Sequence, residues 1–146
     1  MGMGNLTYKD VKKQSESVFR QFGESKWKPF AMDNVNCINQ KSTDELRNVG
    51  MGKVLVSVAM GASLEGAIEA LKKYRDRFDL LCCDKAFGVL LEQGIRPDFV
   101  MLCDCNIPFD WLKPYAAETK GVKLIATPYA NTEWTKRWLG PIYFYV

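Results

Sequence analysis

Residues 53–104 carry the pattern that predicts the fold, and they read KVLVSVAMGASLEGAIEALKKYRDRFDLLCCDKAFGVLLEQGIRPDFVMLCD. Three short apolar runs, residues 53–59, 79–83 and 98–103, alternate with two stretches whose apolar residues recur at helical spacing. The first run is β-branched and has no charge in its interior, which is typical of a strand buried on both faces of a parallel sheet. Strands and helices that alternate at this spacing predict βαβ units with right-handed crossovers.

The residues between these runs are those that end strands and begin or end helices. Gly61 ends the first strand, and Ser63 is placed to cap the helix that follows. Asp84 is placed to cap the second helix, and Gly94 to end it. Two further apolar runs, residues 122–126 and 141–146, add a fourth and a fifth strand. We therefore predict an α/β fold, a Rossmann-like three-layer α/β/α domain with a mostly parallel sheet.

The first 50 residues have a different character. Apolar residues at helical spacing predict an amphipathic helix over residues 6–22, and Ser42 precedes an acidic pair in a way that predicts a short capped helix. We predict that residues 1–50 are an N-terminal helical extension, packed on a Rossmann-like nucleotide-binding core of residues 51–146. Because the sequence stops within or just after an apolar strand, we expect this core to be incomplete and truncated at its C-terminus.

Composition excludes several classes of protein. Of the 146 residues, 47% are apolar and 25% are charged, as in an ordinary globular domain. A net charge of +3 is too small to indicate nucleic-acid binding, and no apolar run approaches the roughly 20 residues of a membrane span. The five cysteines are an odd number and lie mostly on apolar segments, so we expect reduced thiols in a cytoplasmic protein. The absence of histidine excludes Ser-His-Asp and Cys-His catalysis within this sequence.

The turn after the first strand is a candidate phosphate site. Ligands of open α/β sheets bind outside the carboxyl ends of the strands. A glycine allows close backbone approach, and the amide groups of a helix start attract anions. The alternative is an ordinary tight turn with a capping serine. The candidate nucleotide-binding residues here are Gly61, Ala62 and Ser63.

Three polar residues follow the second and third strands. Asp84 is placed to accept hydrogen bonds from ribose hydroxyls, although it also suits a helix N-cap. Asp104 and Asn106 present two oxygen-bearing side chains at i and i+2, which suits Mg²⁺, and the competing explanation is an Asx-turn before Pro108. We predict that Asp104 is catalytic, that Asp104 and Asn106 are metal ligands, and that Asp84 binds the nucleotide. Asp98 lies at the opposite end of its strand and is expected to order the turn there.

The order and spacing of these residues resemble one known family. Gly61, Ser63 and Leu64, then Asp84, then Gly94-Ile95-x-Pro97-Asp98, then Asp104 resemble the 6-hydroxymethylpterin diphosphokinase-like family. That family includes the archaeal diphosphokinases and the bacterial motility accessory factors linked to flagellin glycosylation. The resemblance covers roughly residues 53–130. The sequence is also similar to thiamine pyrophosphokinases, whose third strand ends in Asp-x-Asp. Here Asn106 stands at the second position.

The resemblance implies a nucleotide-dependent transferase. A diphosphokinase would use ATP and Mg²⁺, and a pterin hydroxyl would attack the β-phosphorus of the nucleotide. A glycosyltransferase resembling the motility accessory factors would instead bind a nucleotide sugar, with a protein or carbohydrate acceptor. The third alternative is a non-catalytic module that binds a nucleotide or a sugar. We expect a small-molecule nucleotide as partner in each case, and neither nucleic acid nor membrane.

Overall fold

The computed structural model describes Ser17, residues 27–35 and residues 41–145 of the chain. Within this part, six parallel strands form one sheet in the order β1-β6-β5-β4-β3-β2. This confirms the α/β, Rossmann-like prediction, and the five predicted strands are all found. The strands are β1 Lys41–Ser42, β2 Val54–Val58, β3 Phe78–Cys83, β4 Phe99–Leu102, β5 Lys123–Ala126 and β6 Ile142–Phe144.

Helices connect the strands of this sheet. Four are α-helical: α1 Lys28–Val35, α2 Ser63–Lys73, α3 Asp84–Glu92 and α4 Thr132–Arg137. Short 3-10 helices span Thr43–Leu46, Arg75–Arg77, Phe109–Trp111 and Lys113–Thr119. None of the helices in the described part of the chain has the length and apolar character needed to cross a membrane.

The region predicted to be an N-terminal helical extension also contributes to the sheet. Residues 41–42 form β1, which pairs in parallel with β6 and was not predicted. The short capped helix after Ser42 is confirmed as a 3-10 helix, because the Ser42 hydroxyl accepts a hydrogen bond from the Asp44 N–H at 3.2 Å. The helix predicted over residues 6–22 lies outside the described residues, except for Ser17. The domain division at residue 50 stays a prediction.

One face of the sheet carries the core. The strand register places Val58, Cys82, Val100, Leu124 and Ile142 in one row across five neighbouring strands. These residues belong to, or pack against, one apolar cluster that also contains the buried apolar residues of α2, α3 and α4. The described helices α2, α3 and α4 therefore cover this face. A second helical layer on the other face stays a prediction.

The position of β2 corrects one expectation. β2 lies at the edge of the sheet, and its residues Val54 and Leu55 are 63% and 57% exposed. The prediction that this strand is buried on both faces is therefore wrong for the described part of the chain. The physical reason is that β3, β4, β5 and β6 all add on the same side of β2. An uncharged β-branched run indicates a strand, but it does not tell where that strand lies in the sheet.

The amino end of the central strands is held by Asp98. Its carboxylate accepts hydrogen bonds from the Leu80 N–H at 2.8 Å and from the Arg75 guanidinium at 2.7 Å. Its own N–H donates to the Leu80 carbonyl at 2.9 Å, and its carbonyl accepts from the Lys123 N–H at 3.0 Å. One residue thus ties β3, β4 and β5 together, as expected of a residue that orders this turn.

Gly94 ends α3 in the predicted way. Its φ is +72°, and its N–H donates to the Leu91 carbonyl at 2.9 Å. The Ile95 N–H donates to the Leu90 carbonyl at 2.8 Å, and both of these apolar side chains are buried. The two hydrogen bonds form a Schellman motif with its apolar contact, so the helix end and the core are built together.

Two glycine substitutions are expected to act in opposite directions. Neither Gly94 nor Gly66 has an atom within 4 Å of the position of an added Cβ, but only Gly94 has a positive φ. We predict that Gly94→Ala lowers the free energy of unfolding by about 1–2 kcal/mol, because alanine is strained in the left-handed region. Gly66→Ala, on the exposed side of α2, should raise it by about 0.5–1 kcal/mol. Urea denaturation measures both, and changes of the same sign would contradict the structural assignment.

Candidate active site

All strands end at the same edge of the sheet, because all are parallel. This carboxyl edge brings together the turn after β2, the start of α3 after β3 and the loop after β4. Gly61, Asp84 and Asp104 follow three strands that are adjacent in the sheet. In open α/β sheets, this is the edge at which ligands bind.

The turn after β2 is tight and exposed. The Gly61 N–H donates to the Ala59 carbonyl, and the Leu64 N–H donates to the Gly61 carbonyl, both at 3.0 Å. The N-cap of α2 is Ala62, which provides no side-chain cap, and Ser63 is the first residue of the helix. The expectation that Ser63 caps α2 is therefore wrong. An N-cap residue precedes the helix, whereas Ser63 is already its first residue. The start of α2 is exposed to solvent and has no capping side chain, which suits an anion.

A cavity of about 510 Å³ opens beside this turn. Its size is within the range of small-molecule sites. It lies between the turn, α2 and α3, and Asp84 and Asp104 are not among the residues that line it. Gly61 and Ala62 thus line this cavity, and Ser63, like the two carboxylates, does not. The lining residues are Met60, Gly61, Ala62, Leu64, Glu65, Ile68, Val89 and Gln93.

Asp84 is a half-buried carboxylate at the start of α3. Its Oδ1 accepts a hydrogen bond from the Lys85 N–H at 2.6 Å, and the preceding residue, Cys83, is the N-cap of the helix. Asp84 is thus the first residue of the helix rather than the predicted cap. Burial, above all, raises the pKa of the Asp84 carboxyl, and the Asp104 charge raises it further, whereas the Lys85 N–H and ammonium oppose the rise. The Asp104 charge is the smallest of these influences, and the main cause is the burial of Asp84.

Asp104 and Asn106 form the Asx-turn that was the alternative to metal binding. The Asp104 Oδ1 accepts from the Asn106 N–H at 2.7 Å and from the Asn106 Nδ2 at 2.9 Å. Both residues are exposed to solvent. Within residues 41–145, both of these hydrogen bonds go to Oδ1 of the carboxylate. The turn holds Asp104 in place without removing it from the edge.

The donor set fits a particular kind of metal ion. No group of three or more Cys, Asp or Glu side chains able to hold a metal ion occurs among residues 27–35 and 41–145. Mg²⁺ typically uses one or two protein carboxylates together with substrate phosphates. Asp84 and Asp104 provide two carboxylates at the edge to which a nucleotide would bring such an ion. The residues thus fit a magnesium ion that arrives with a nucleotide rather than a metal centre built by protein alone.

Sequence reasoning did not assign four further residues at this edge. The Lys85 Nζ lies 5.4 Å from the ring centroid of Trp111, which is 48% exposed. Thr127 donates from its hydroxyl to the Cys103 carbonyl at 3.2 Å. The Tyr145 hydroxyl lies 3.1 Å from the Cys103 thiol, and burial together with this thiol raises the pKa of Tyr145 to about 12. Two of these residues could have been found from the sequence, because Lys85 directly follows Asp84 and Thr127 directly follows β5.

The cysteines on β3 alternate between the two faces of the sheet, as their neighbouring positions predict. Cys82 lies in the core, and burial raises the pKa of its thiol, which therefore stays protonated. Cys83 points to the other face and is only half-buried. Cys37 lies outside the described residues. The buried Cys82 is thus a packing residue.

Comparison with known proteins identifies the family. Residues 31–146 match the family model described as 6-hydroxymethylpterin diphosphokinase MptE-like. The chain belongs to this family. The match covers β1 to β6 and includes every candidate site residue, and it confirms the family resemblance of the sequence.

Two individual proteins are similar to this MptE-like chain. An uncharacterized protein of Treponema pallidum (strain Nichols) is 34% identical over 62 residues, which are 42% of this chain and 30% of that protein. A solved structure, the MAf glycosyltransferase from Magnetospirillum magneticum AMB-1, is 25% identical, with a TM-score of 0.53. That match covers 75% of this chain and 16% of the glycosyltransferase chain. The chain thus spans less than a third of the length of either relative.

The burial of Asp84 makes a prediction about stability and pH. A carboxyl whose pKa is raised on folding destabilises the fold at a pH above its folded pKa, and this penalty disappears below its unfolded pKa of about 3.9. We predict that Asp84→Asn raises the melting temperature by about 1–3 °C near neutral pH. The gain should shrink as the pH falls towards about 4.

Asp76→Asn is the matched control, since Asp76 is an exposed aspartate at the opposite edge of the sheet. It should change the melting temperature little at either pH. Thermal melts at about pH 7 and about pH 4 measure both variants. An Asp84→Asn variant that is less stable than the native chain at neutral pH would contradict this prediction. It would show that interactions in the fold stabilise the charged carboxylate by more than its burial costs.

Proposed function

We propose that this chain is the nucleotide-binding core of a transferase that uses a nucleotide-activated donor. The observation that carries the proposal is the half-buried carboxylate of Asp84, which lies at the same edge of the sheet as Asp104 and the exposed start of α2. A protein retains such a costly arrangement where a ligand compensates it. The membership in the MptE-like family supports a transferase rather than another Rossmann-like protein.

The proposed ligand geometry follows from the carboxyl edge. The phosphates of the nucleotide bind at the Gly61–Ala62–Ser63 turn, where amide N–H groups and the α2 dipole attract anions. Asp84 and Asp104 hold the magnesium ion that the phosphates carry. When bound, the ion supplies neutralisation of the charge that develops on the transferred phosphoryl group. Asn106 positions Asp104 through the hydrogen bonds of the Asx-turn.

The best-supported reaction is diphosphoryl transfer from ATP. The hydroxyl oxygen of the acceptor, a 6-hydroxymethylpterin in the reaction for which the family is named, forms a bond to the β-phosphorus. The bond between that phosphorus and the oxygen bridging to the α-phosphate breaks, and AMP leaves. Asp104 accepts the hydroxyl proton. Catalysis of this kind rests on positioning and on neutralising charge, which turn amides, carboxylates and a metal ion provide without histidine.

Glycosyl transfer from a nucleotide sugar is the second candidate. The observation that favours it is the similarity to the MAf glycosyltransferase, which covers 75% of this chain at 25% identity. The same turn would bind the nucleotide phosphates, and Asp104 would lie near the sugar. The two candidates differ in the nucleotide that binds, so ligand binding separates them.

The first test is a thermal melt with nucleotides. We predict that one of ATP, CMP or UDP, at about 100 times its Kd and with Mg²⁺, raises the melting temperature by about 5–10 °C. A preference for ATP supports the diphosphokinase, and a preference for CMP or UDP supports the glycosyltransferase. Asp84→Asn and Asp104→Asn should lose the part of the shift that depends on Mg²⁺, while Asp76→Asn retains it. If no nucleotide shifts the melt with or without Mg²⁺, the proposal fails.

The second test is turnover by the full-length protein. With ATP, Mg²⁺ and 6-hydroxymethylpterin, we expect AMP to form in equal amount with the pterin diphosphate. Asp104→Asn keeps an oxygen that accepts the Asn106 N–H but loses the negative charge, so we expect AMP formation to fall by at least about 100-fold. An unchanged rate in this variant would remove Asp104 from the chemistry. ATP binding without any AMP formation would favour a binding module.

A further inference from the structure

An exposed aromatic residue lies next to Lys85, the cation that directly follows Asp84 at the start of α3. The Trp111 side chain is 48% exposed, and the Lys85 Nζ is 5.4 Å from its ring centroid. An indole ring presents a large flat apolar surface, and leaving half of it in water forgoes stabilisation by burial. Trp111 is therefore a candidate ligand contact.

The exposure of Trp111 is built into the fold. The loop that carries it is held from behind, because the Asn131 Nδ2 donates to the Ile107 carbonyl at 2.9 Å and the Trp134 Nε1 donates to the Pro108 carbonyl at 3.3 Å. The next residue in the chain, Leu112, is completely buried. Anchors on both sides of Trp111 thus fix where the indole lies, next to Lys85 at the carboxyl edge.

We propose that Trp111 and Lys85 form a recognition platform on which the planar ring of the nucleotide stacks. The ring stacks on the indole of Trp111, and the Lys85 ammonium pairs with a phosphate oxygen of the same ligand. This inference rests on the proposed function and adds the residues that bind the base. Stacking on an aromatic side chain tolerates any base, because every base has a π face. The platform therefore contributes affinity for the ring and leaves the choice among bases to other contacts.

The chain contains a matched control for this pair. Tyr74 is 39% exposed, and the Lys73 Nζ lies 5.2 Å from its ring centroid. It is also an exposed aromatic ring beside a lysine, with Arg77 as a second cation 5.3 Å from the ring centroid, but it follows α2 at the amino edge of the sheet. A ligand at the carboxyl edge does not reach it. A change in binding that results from removing any exposed aromatic ring will therefore appear in the Tyr74 variant as well as in the Trp111 variant.

The experiment is calorimetric titration with Mg²⁺ present, using ADP, UDP and inorganic pyrophosphate as probes. Pyrophosphate has the phosphates without the ring. We expect Trp111→Ala to weaken binding of the nucleotide that the native chain binds by about tenfold or more, and pyrophosphate binding by less than twofold. Trp111→Phe keeps a ring and should retain most of the nucleotide affinity. Lys85→Met should weaken the binding of the nucleotide and of pyrophosphate by the same factor. Tyr74→Ala should leave the binding of both unchanged.

The outcomes distinguish this inference from the function on which it rests. If the native chain binds ADP or UDP and Trp111→Ala binds it equally well, the platform is wrong and the proposed function stands. An equal loss of affinity for the nucleotide and for pyrophosphate in Trp111→Ala also overturns the proposed platform, because the indole would then support only the phosphate site. If the native chain binds none of the three probes, this inference fails, and the thermal melt with ATP, CMP and UDP decides the proposed function separately.

Discussion

The hydrogen bonds of Asp98 to the backbone of Leu80 set the register on which the carboxyl edge depends. The Asp98 N–H and carboxylate bind the carbonyl and the N–H of Leu80, and the Asp98 carbonyl binds the Lys123 N–H. β3, β4 and β5 are thereby aligned at their amino ends. A slip of one residue in any of them would move its apolar side chains to the opposite face of the sheet. The same slip would separate the residues at the other end.

Register at the amino edge therefore determines geometry at the carboxyl edge. β3 ends at Cys83 and β4 at Leu102, so Asp84 and Asp104, which follow them, come to the same edge. Stability and the proposed ligand binding are divided between the two ends. The Asp98 carboxylate is paired with Arg75 and with the Leu80 N–H, whereas Asp84 is a half-buried carboxylate with a raised pKa. An unfavourable charge arrangement of this kind is tolerated because the opposite edge and the core supply the stability.

The carboxyl edge combines rigid parts with exposed chemistry. Asp104 is held by the Asx-turn, and the loop after it is anchored to Asn131 and Trp134 near α4. The helix start at Ser63 has no capping side chain, although helix starts commonly have one. Preorganised donors and carboxylates on fixed backbone lose little entropy on binding. The absence of histidine in the sequence is consistent with a site that acts through charge and position.

The sequence determined the order of β2 to β6 with α2 and α3 between them, the end of α3 at Gly94 and the candidate residues at the strand ends, because periodicity and local turn chemistry are properties of neighbouring residues. It indicated a metal site and an Asx-turn as alternatives for Asp104, and the structure shows the Asx-turn. Only the tertiary structure decided that β2 lies at an edge, that β1 joins β6 and that Trp111 meets Lys85. Those facts depend on contacts between residues that are distant in the chain, and such contacts leave no local pattern in the sequence.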